Sequence, residues 1–189
     1  MLSEELKEQT KINHQILEKK LVAQMKAISN KEDYAILLGL FYSFFGGLEI
    51  AMGKYPDLSF LPDQELRRKA SALENDLKAL QISLPKLASV ETLPKIENHL
   101  QTIGAMYVME GSTLGGKYIV KMIEKQLDTT DLSSLTFFKS YGDDTEKMWQ
   151  IFKNALDNFP LTSTEKDIVI NAANDTFVTF NSWFDNNQA

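Results

Sequence analysis

The sequence predicts an all-α fold in which several helices pack into one domain, residues 1–189. Apolar residues recur at three-to-four spacing along most of the chain, and no segment alternates apolar and polar residues as a half-buried strand would. Serine, threonine or proline stands at the start of several periodic segments, where helices are commonly capped. A chain of 189 residues can bury about two thirds of its unfolded surface.

The first two predicted helices occupy the N-terminal part of the chain. Ser3 is expected to cap the first helix, which has acidic residues in its first turn and runs to about Met25. Ser29 and Glu32 form a predicted capping box for the second helix. This helix continues through a strongly apolar, aromatic segment to Met52, which indicates a helix of the core.

The next two predicted helices are separated by a connecting loop. The third is expected from Pro62, a favourable first-turn residue, to about Leu80. Residues 81–91 contain a proline and little periodicity, which is typical of a loop. The fourth helix is expected to begin near Pro94 and to continue into a glycine-rich segment.

The C-terminal part of the chain predicts two further helices. After Asp128 the apolar pattern becomes less regular for about fifteen residues. A helix is then expected over Asp144–Phe159. Thr162 and Glu165 predict a capping box for the last helix, which is aromatic and runs to about Phe184.

Three glycines interrupt the fourth predicted helix. The segment QTIGAMYVMEGSTLGGK, residues 101–117, begins and ends with helical periodicity but contains Gly111, Gly115 and Gly116. Each glycine inside a helix costs roughly 1 kcal/mol relative to alanine. Such a cluster predicts a kink, or a place where another group must approach the backbone closely. Tight helix–helix packing is the alternative explanation.

Composition excludes several classes of function. The net charge of −6 argues against a nucleic-acid partner, because phosphate backbones require a basic surface. The absence of cysteine excludes disulfides, thiolate metal sites and cysteine nucleophiles. The N-terminal segment is charged where a signal peptide has an apolar core, and no run approaches the roughly 20 apolar residues of a membrane span. These features predict a cytoplasmic protein with no membrane association.

The chain contains two histidines, of which one is a candidate metal ligand. His14 lies on the first helix with Glu18 one turn further on, and a carboxylate at this spacing can fix the imidazole tautomer and leave the other nitrogen for a metal. The alternative is an ordinary surface or core histidine. His99 lies at the start of the fourth helix and is assigned no role.

The glycine-rich segment resembles a known family motif. YVMEGSTLGG, residues 107–116, is similar to the distal-helix motif of the biliverdin-forming heme oxygenases, and in particular of the bacterial subgroup found with bacteriophytochromes. The resemblance extends to the helix around His14, to Arg67–Arg68 and Asp76–Leu77, and to the aromatic last helix, so it covers most of the chain.

The resemblance implies an activity and its partners. The protein would be an oxidoreductase that cleaves heme at a meso carbon with O2 and reducing equivalents, giving biliverdin, carbon monoxide and iron. Heme would be both substrate and cofactor. The electron donor would be a ferredoxin or a flavoprotein reductase, and a biliverdin-accepting phytochrome is a candidate partner. The expected fold is a heme oxygenase-like helical bundle with a glycine-kinked distal helix.

The resemblance also implies the site residues. His14 would bind the iron, and Gly111, Ser112 and Gly115 would form the catalytic distal face. Further residues would contact or orient the heme, with the lysines receiving its propionates: Lys7, Thr10, Glu18, Tyr107, Gly116, Lys117 and Phe177.

Two departures from the family pattern leave an alternative open. Ser112 stands where the animal enzymes have an aspartate, and a hydroxyl can hold a water but cannot tune its acidity as a carboxylate does. The last helix has no basic residue after Lys166 to receive propionates, which then depend on residues such as Lys7 or Lys11. The alternative is a non-catalytic heme- or bilin-binding protein of the same fold. Two other helical classes are excluded. A thiamin-hydrolysing enzyme would need a cysteine, and the chain has none. A ferritin-like protein would need two Glu-x-x-His pairs, and neither histidine has a glutamate three residues before it.

Overall fold

Helices account for most of the chain. The computed structural model describes residues 1–128 and 133–187, and these ranges contain no β-strand. Within them α1 to α8 follow in this order: Leu2–Ala27, Lys31–Met52, Ser71–Ala79, His99–Gly111, Gly116–Leu127, Thr136–Lys139, Thr145–Asn158 and Ser163–Asn187. The prediction of an all-α fold is confirmed.

Helix α2 supplies the centre of an aromatic core. Phe44 stacks on Phe180 of α8 with 4.4 Å between the ring centroids, and Phe41 makes edge-to-face contacts with Phe180 and Phe138. Contrary to the expectation that no run approaches a membrane span, α2 could cross a membrane by length and composition, but 67% of its most apolar window is buried inside the protein. Its apolar character is therefore explained by the core that it occupies.

The last helix, α8, packs along both α1 and α4 and so joins the N-terminal helix to the middle of the chain. Gly104 allows the approach of α4, because a Cβ atom there would lie 2.3 Å from the carbonyl oxygen of Val169. The predicted capping box of α8 is present: Thr162 Oγ1 and its amide both donate to Glu165, and the Glu165 amide donates to Thr162 Oγ1.

Two of the predicted caps in the N-terminal part are wrong. Ser3 lies inside α1, and its amide and hydroxyl donate to Asp157 of α7 at 2.8 and 2.7 Å. The cap of α2 is Asn30, which accepts the Asp33 amide at 2.8 Å, while Asp33 accepts from Ser29. Ser3 has a distant acceptor instead, and the capping pair of α2 lies one residue further along the chain than predicted.

The third and fourth helices are shorter than predicted. Helix α3 begins only at Ser71, because the chain leaves the helical region at Arg67, with φ −71° and ψ 140°, which separates α3 from a 3-10 turn at Gln64–Leu66. Helix α4 begins at His99 and not near Pro94, because Asn98 caps it by accepting the Gln101 amide at 3.0 Å.

The loop predicted over residues 81–91 is confirmed as an extended segment on α2, leading into a short 3-10 turn at Val90–Thr92. The Ala88 amide donates to the Ser43 carbonyl at 2.9 Å. This approach requires a glycine on α2, since a Cβ at Gly47 would lie 2.6 Å from the Ala88 carbonyl oxygen.

The predicted interruption of the fourth helix is present as a change of helix type. Helix α4 ends at Gly111, residues Ser112–Gly115 form a 3-10 helix, and α5 begins at Gly116. Gly111, with φ −58°, and Gly115, with φ −74°, keep right-handed helical torsions that any residue can adopt. The glycines are therefore needed for the space they leave and not for their backbone freedom. Residues 129–132, within the segment expected to be less regular, lie outside the described residues.

Candidate active site

The junction of α4 and α5 presents bare backbone at two of the three glycines. A Cβ at Gly111 would meet only the Trp149 ring at 3.8 Å, and one at Gly115 would meet only the Ile119 side chain at 3.9 Å. These are ordinary van der Waals distances, so no neighbouring atom of the described protein requires glycine at either position. An open glycine surface of this kind can receive a flat group close to the helix backbone.

Gly116 has a different role. A Cβ there would lie 1.8 Å from the Phe138 carbonyl oxygen, which is incompatible with any side chain. Gly116 is buried and lets α5 pack directly on the backbone of α6. The geometry therefore gives it a packing role, in contrast to the heme contact that the resemblance implied.

His14 lies on α1 with its side chain 56% exposed. Its Nδ1 atom is 3.8 Å from Glu18 Oε2, beyond hydrogen-bond distance, so the expected tautomer-fixing contact requires a small rotation of the glutamate. The imidazole also meets the Phe177 ring edge to face, with 5.6 Å between centroids and an interplanar angle of 87°. An exposed imidazole steadied by one aromatic ring is available as a metal ligand.

Thr10 and Tyr107 lie on the helices of His14 and of Gly111, respectively. Thr10 is buried, and its hydroxyl donates to the Leu6 carbonyl at 2.7 Å within α1. Burial raises the pKa of Tyr107, whose ring lies 5.5 Å from that of Trp149 between centroids. His14 follows Thr10 by four residues and Gly111 follows Tyr107 by four, so the candidate ligand and the bare backbone each lie one helical turn beyond these residues.

The candidate propionate partners are all on the surface. Lys7 and Lys11 on α1 and Lys117 on α5 have exposed side chains, so each is free to move toward an acidic group at the edge of the site. Because these ammonium groups remain exposed to solvent, pairing one of them with a propionate at the edge of the site would cost little desolvation energy.

A buried ion pair supports the end of α4. Arg67 donates from Nη1 to Glu110 Oε2 at 2.6 Å and to the Met148 carbonyl at 3.0 Å, and it donates to Asp63 from its other nitrogens. Burial opposes the charge of Arg67, but hydrogen bonds with Asp63 and pairing with Glu110 nevertheless raise its pKa. Helix α4 is thereby joined to the segment before α3 and to α7.

The neighbouring arginine lies directly behind the 3-10 turn. Arg68 donates from Nη2 to Ser112 Oγ at 2.6 Å and to the Met109 carbonyl at 2.9 Å. Its guanidinium carbon stands 3.8 Å from the centre of the Phe137 ring, an arrangement that favours a cation. Burial lowers the pKa of Arg68 to about 10, so it remains charged at neutral pH.

Tyr141 closes the network between the two arginines. Its hydroxyl accepts the Arg68 amide at 2.7 Å and donates to Glu110 at 2.9 Å. Burial, reinforced by the charge of Glu110, raises the pKa of Tyr141 to about 12, so the phenol stays protonated and able to donate.

Sequence reasoning missed the roles of Glu110, Tyr141 and Trp149. Glu110 offered a signal, because it is the one charged residue in the segment IGAMYVMEG and a buried carboxylate needs a cationic partner. The pair Arg67–Arg68 was noted only as part of the resemblance. Nothing local to Tyr141 or Trp149 indicates a partner 31 or more residues away.

A sizeable cavity lies away from the predicted site. It has a volume of about 710 Å³ and lies between α2, the segment after α3 and the end of α8, with Ile36, Pro85 and Trp183 among its walls. None of the predicted site residues lines it. A smaller cavity of about 320 Å³ surrounds His99, near Lys54 and Asp57.

The single imidazole of His14 suits a metal ion whose other ligands come from a bound cofactor. Among the described residues, no group of three or more histidine, aspartate or glutamate side chains could hold a metal ion. One imidazole is enough only where a macrocycle such as porphyrin supplies the remaining nitrogens. The fold and the exposed single imidazole are those of a helical protein suited to a flat ring that contains a metal.

Comparisons with known proteins identify the family. The family model described as Heme oxygenase matches residues 1–186, so the chain belongs to the heme oxygenase family. Heme oxygenase 1 of a Synechocystis strain is 24% identical over 194 residues, which cover 93% of this chain and 80% of that protein. The protein is accordingly an oxidoreductase that takes heme as substrate and prosthetic group, and biliverdin is the product of the family's reaction.

Solved structures show the same fold. The NO- and CO-bound heme oxygenase of Neisseria meningitidis superimposes with a TM-score of 0.82 at 22% identity, covering 99% of this chain and 92% of that one. Synechocystis heme oxygenase 1 in complex with heme gives 0.74 at 21% identity, covering 98% and 91%. The heme oxygenase of Leptospira interrogans gives 0.74 at 22% identity and covers 98% of each chain.

We expect Glu110→Ala to lower the free energy of unfolding by about 3 kcal/mol or more, because it leaves the buried Arg67 without its partner in α4. Glu97→Ala is the matched control, since its ion pair with Lys95 is exposed and should contribute less than about 1 kcal/mol. Urea unfolding followed by circular dichroism measures both. Equal losses in the two variants would contradict the importance of the buried pair.

Proposed function

We propose that His14 would bind the iron of heme and that the bare backbone of Gly111 and Gly115 would lie against the heme ring. The observation that carries this assignment is the bare backbone at Gly111 and Gly115, where an added Cβ would meet the described protein only at 3.8 and 3.9 Å, together with the 56% exposed side chain of His14. An open glycine surface and an accessible imidazole suit a thin, flat ligand that contains a metal. Phe177 would form an apolar wall beside the ligand.

Each remaining residue would have a limited task. Bound heme supplies an iron centre that activates O2 against the heme's own ring, which is why it is both cofactor and substrate. His14 would supply one neutral nitrogen, oriented by Glu18 after the rotation described above. Gly111 and Gly115 would exclude side chains from the oxygen-binding face, and Ser112 would hold a water there. Lys7, assisted by Lys117, would pair with the propionates.

The electrons would come from another protein. The chain has no cysteine, so it cannot hold a thiolate-bound iron–sulfur cluster of its own. A ferredoxin or a flavoprotein reductase in the cytoplasm is the proposed donor, and a biliverdin-accepting phytochrome the proposed recipient of the product. These partners are supported by the likeness of the YVMEGSTLGG segment to the bacteriophytochrome-associated subgroup.

Replacing the proposed ligand should change the heme spectrum in a specific way. His14→Ala should bind heme more weakly and lose the absorption signature of histidine-ligated iron. His99→Ala is the control, because it removes the only other histidine, which lines a separate polar cavity. Absorption spectra of the ferric and ferrous complexes measure the effect. Wild-type spectra from both variants would show that the iron ligand lies elsewhere.

A size series at Gly115 should separate the proposed role from helix packing. Gly115→Ala should retain turnover, because its Cβ would meet only Ile119 at 3.9 Å. Gly115→Leu should keep a wild-type helical circular dichroism spectrum but lose tenfold or more in turnover, because several extra carbons would enter the space proposed for the ligand. Heme titration and biliverdin formation measure the series. Full turnover by Gly115→Leu would place the heme away from this surface.

A further inference from the structure

The Ser112 hydroxyl is oriented by two short hydrogen bonds. It donates its proton to the Met109 carbonyl at 2.6 Å and accepts from Arg68 Nη2, also at 2.6 Å. A hydroxyl has one proton and two lone pairs, so only one lone pair remains for a ligand. In this arrangement Ser112 can accept a hydrogen bond from a water at the glycine surface, but it cannot donate one.

Arg68 is held in place by several independent contacts. Besides Ser112 and Met109, it donates to the Phe137 carbonyl at 3.2 Å and to Ser140 Oγ at 3.0 Å, and its guanidinium lies over the Phe137 ring. These contacts come from α4, from α6 and from the turn after α6. The orientation of the guanidinium toward Ser112 is therefore fixed by packing.

The charge of Arg68 differs from that of Arg67 in how it is compensated. Arg67 is paired with two carboxylates within 2.6 Å, whereas within the described ranges Arg68 has carbonyl and hydroxyl oxygens as its direct acceptors. The charged and titratable groups that act on it from a distance are Glu110 on α4, Tyr141 after α6 and Glu49 on α2. No carboxylate of the described residues therefore pairs with Arg68 at hydrogen-bond distance, and the nearest oxygen to its charge is Ser112 Oγ at 2.6 Å.

We propose that Arg68 is a positioning residue that fixes Ser112 as a hydrogen-bond acceptor and places a positive charge directly behind it. A water that donates one proton to Ser112 has its second proton free to point into the site. A nearby cation favours loss of that proton, because it stabilises the hydroxide left behind. Arg68 would in this way supply the control of water acidity that a serine alone lacks. The effect on the acidity of a bound water rests on the proposed function. The effect of the Arg68 charge on a group at position 112 does not, because it concerns the protein alone.

The electrostatic claim can be measured without heme. The chain contains no cysteine, so Ser112→Cys introduces a single thiol at the position that Arg68 contacts. An unperturbed thiol has a pKa of about 8.5, burial raises it and an adjacent cation lowers it. The thiol pKa is obtained from the pH dependence of alkylation by a small haloacetamide.

The expected thiol pKa in the Ser112→Cys protein lies below about 8.5. Adding Arg68→Gln should raise it by about one unit, which reduces the thiolate fraction at pH 7 about tenfold. Adding Arg68→Lys should leave most of the lowering of the thiol pKa in place, because the positive charge is retained. Lys69→Gln is the matched control: Lys69 is the next residue and is exposed, so the pKa should stay nearly constant.

Two results would overturn the proposal. One is a thiol pKa at or above about 8.5 in Ser112→Cys alone, a result that needs no Arg68 variant to fold. The other is an equal effect of Arg68→Gln and Lys69→Gln in proteins with unchanged circular dichroism spectra.

The role in turnover is measured separately. With Ser112 intact, Arg68→Gln should lower biliverdin formation about ten- to hundred-fold and shift its pH profile, whereas Arg68→Lys and Lys69→Gln should retain the profile. Unchanged turnover in Arg68→Gln would reject the positioning role even if the thiol result stands. A wild-type protein that forms no biliverdin would instead reject the proposed function.

Discussion

The ion pair between Arg67 and Glu110 is the interaction on which the rest of the site depends. Glu110 is buried, and it stands in the last turn of α4, where a helix dipole disfavours negative charge. Both circumstances require a cation close by, and Arg67 supplies it at 2.6 Å. The chain therefore leaves the helical conformation before α3 so that two successive arginines can reach the end of α4.

The ion pair belongs to a hydrogen-bond network that stabilises the chain where α4 gives way to the 3-10 helix. Arg67 holds Glu110, Tyr141 joins Glu110 to the Arg68 backbone, and Arg68 occupies the Met109 carbonyl and the Ser112 hydroxyl. Backbone and side-chain polar groups at the change from α-helix to 3-10 helix are thus partnered from within the protein. Gly111 and Gly115 in the same segment have almost no protein atoms near their Cβ positions and so leave the backbone bare.

The glycines of α4 and α5 and of the 3-10 helix between them have two different roles. At Gly104 and Gly116 a side chain would collide with backbone atoms of α8 and α6, so these glycines hold the bundle together. At Gly111 and Gly115 a side chain would meet almost nothing of the protein. Sequence spacing alone could not separate the two roles, because both require only the absence of a side chain.

The sequence was sufficient for the fold class, and the reasons are local; the location of the site stays a prediction. Three-to-four periodicity and the Thr162–Glu165 box depend on neighbours within one or two turns, and both predictions are confirmed. Ser3, by contrast, is bound to Asp157, which is 154 residues away, and the Arg68–Ser112 contact spans 44 residues. Such partners are set by the packing of whole helices, so no local pattern predicts them.

Turnover of bound heme tests the central claim most directly. The purified protein with one equivalent of hemin, an electron donor, O2 and catalase should lose its Soret absorption and yield biliverdin. Catalase matters because free peroxide degrades heme without selectivity, whereas enzymatic cleavage should persist in its presence. A complex that binds hemin and returns it unchanged under these conditions would contradict the account and would leave a heme- or bilin-binding protein of the same fold.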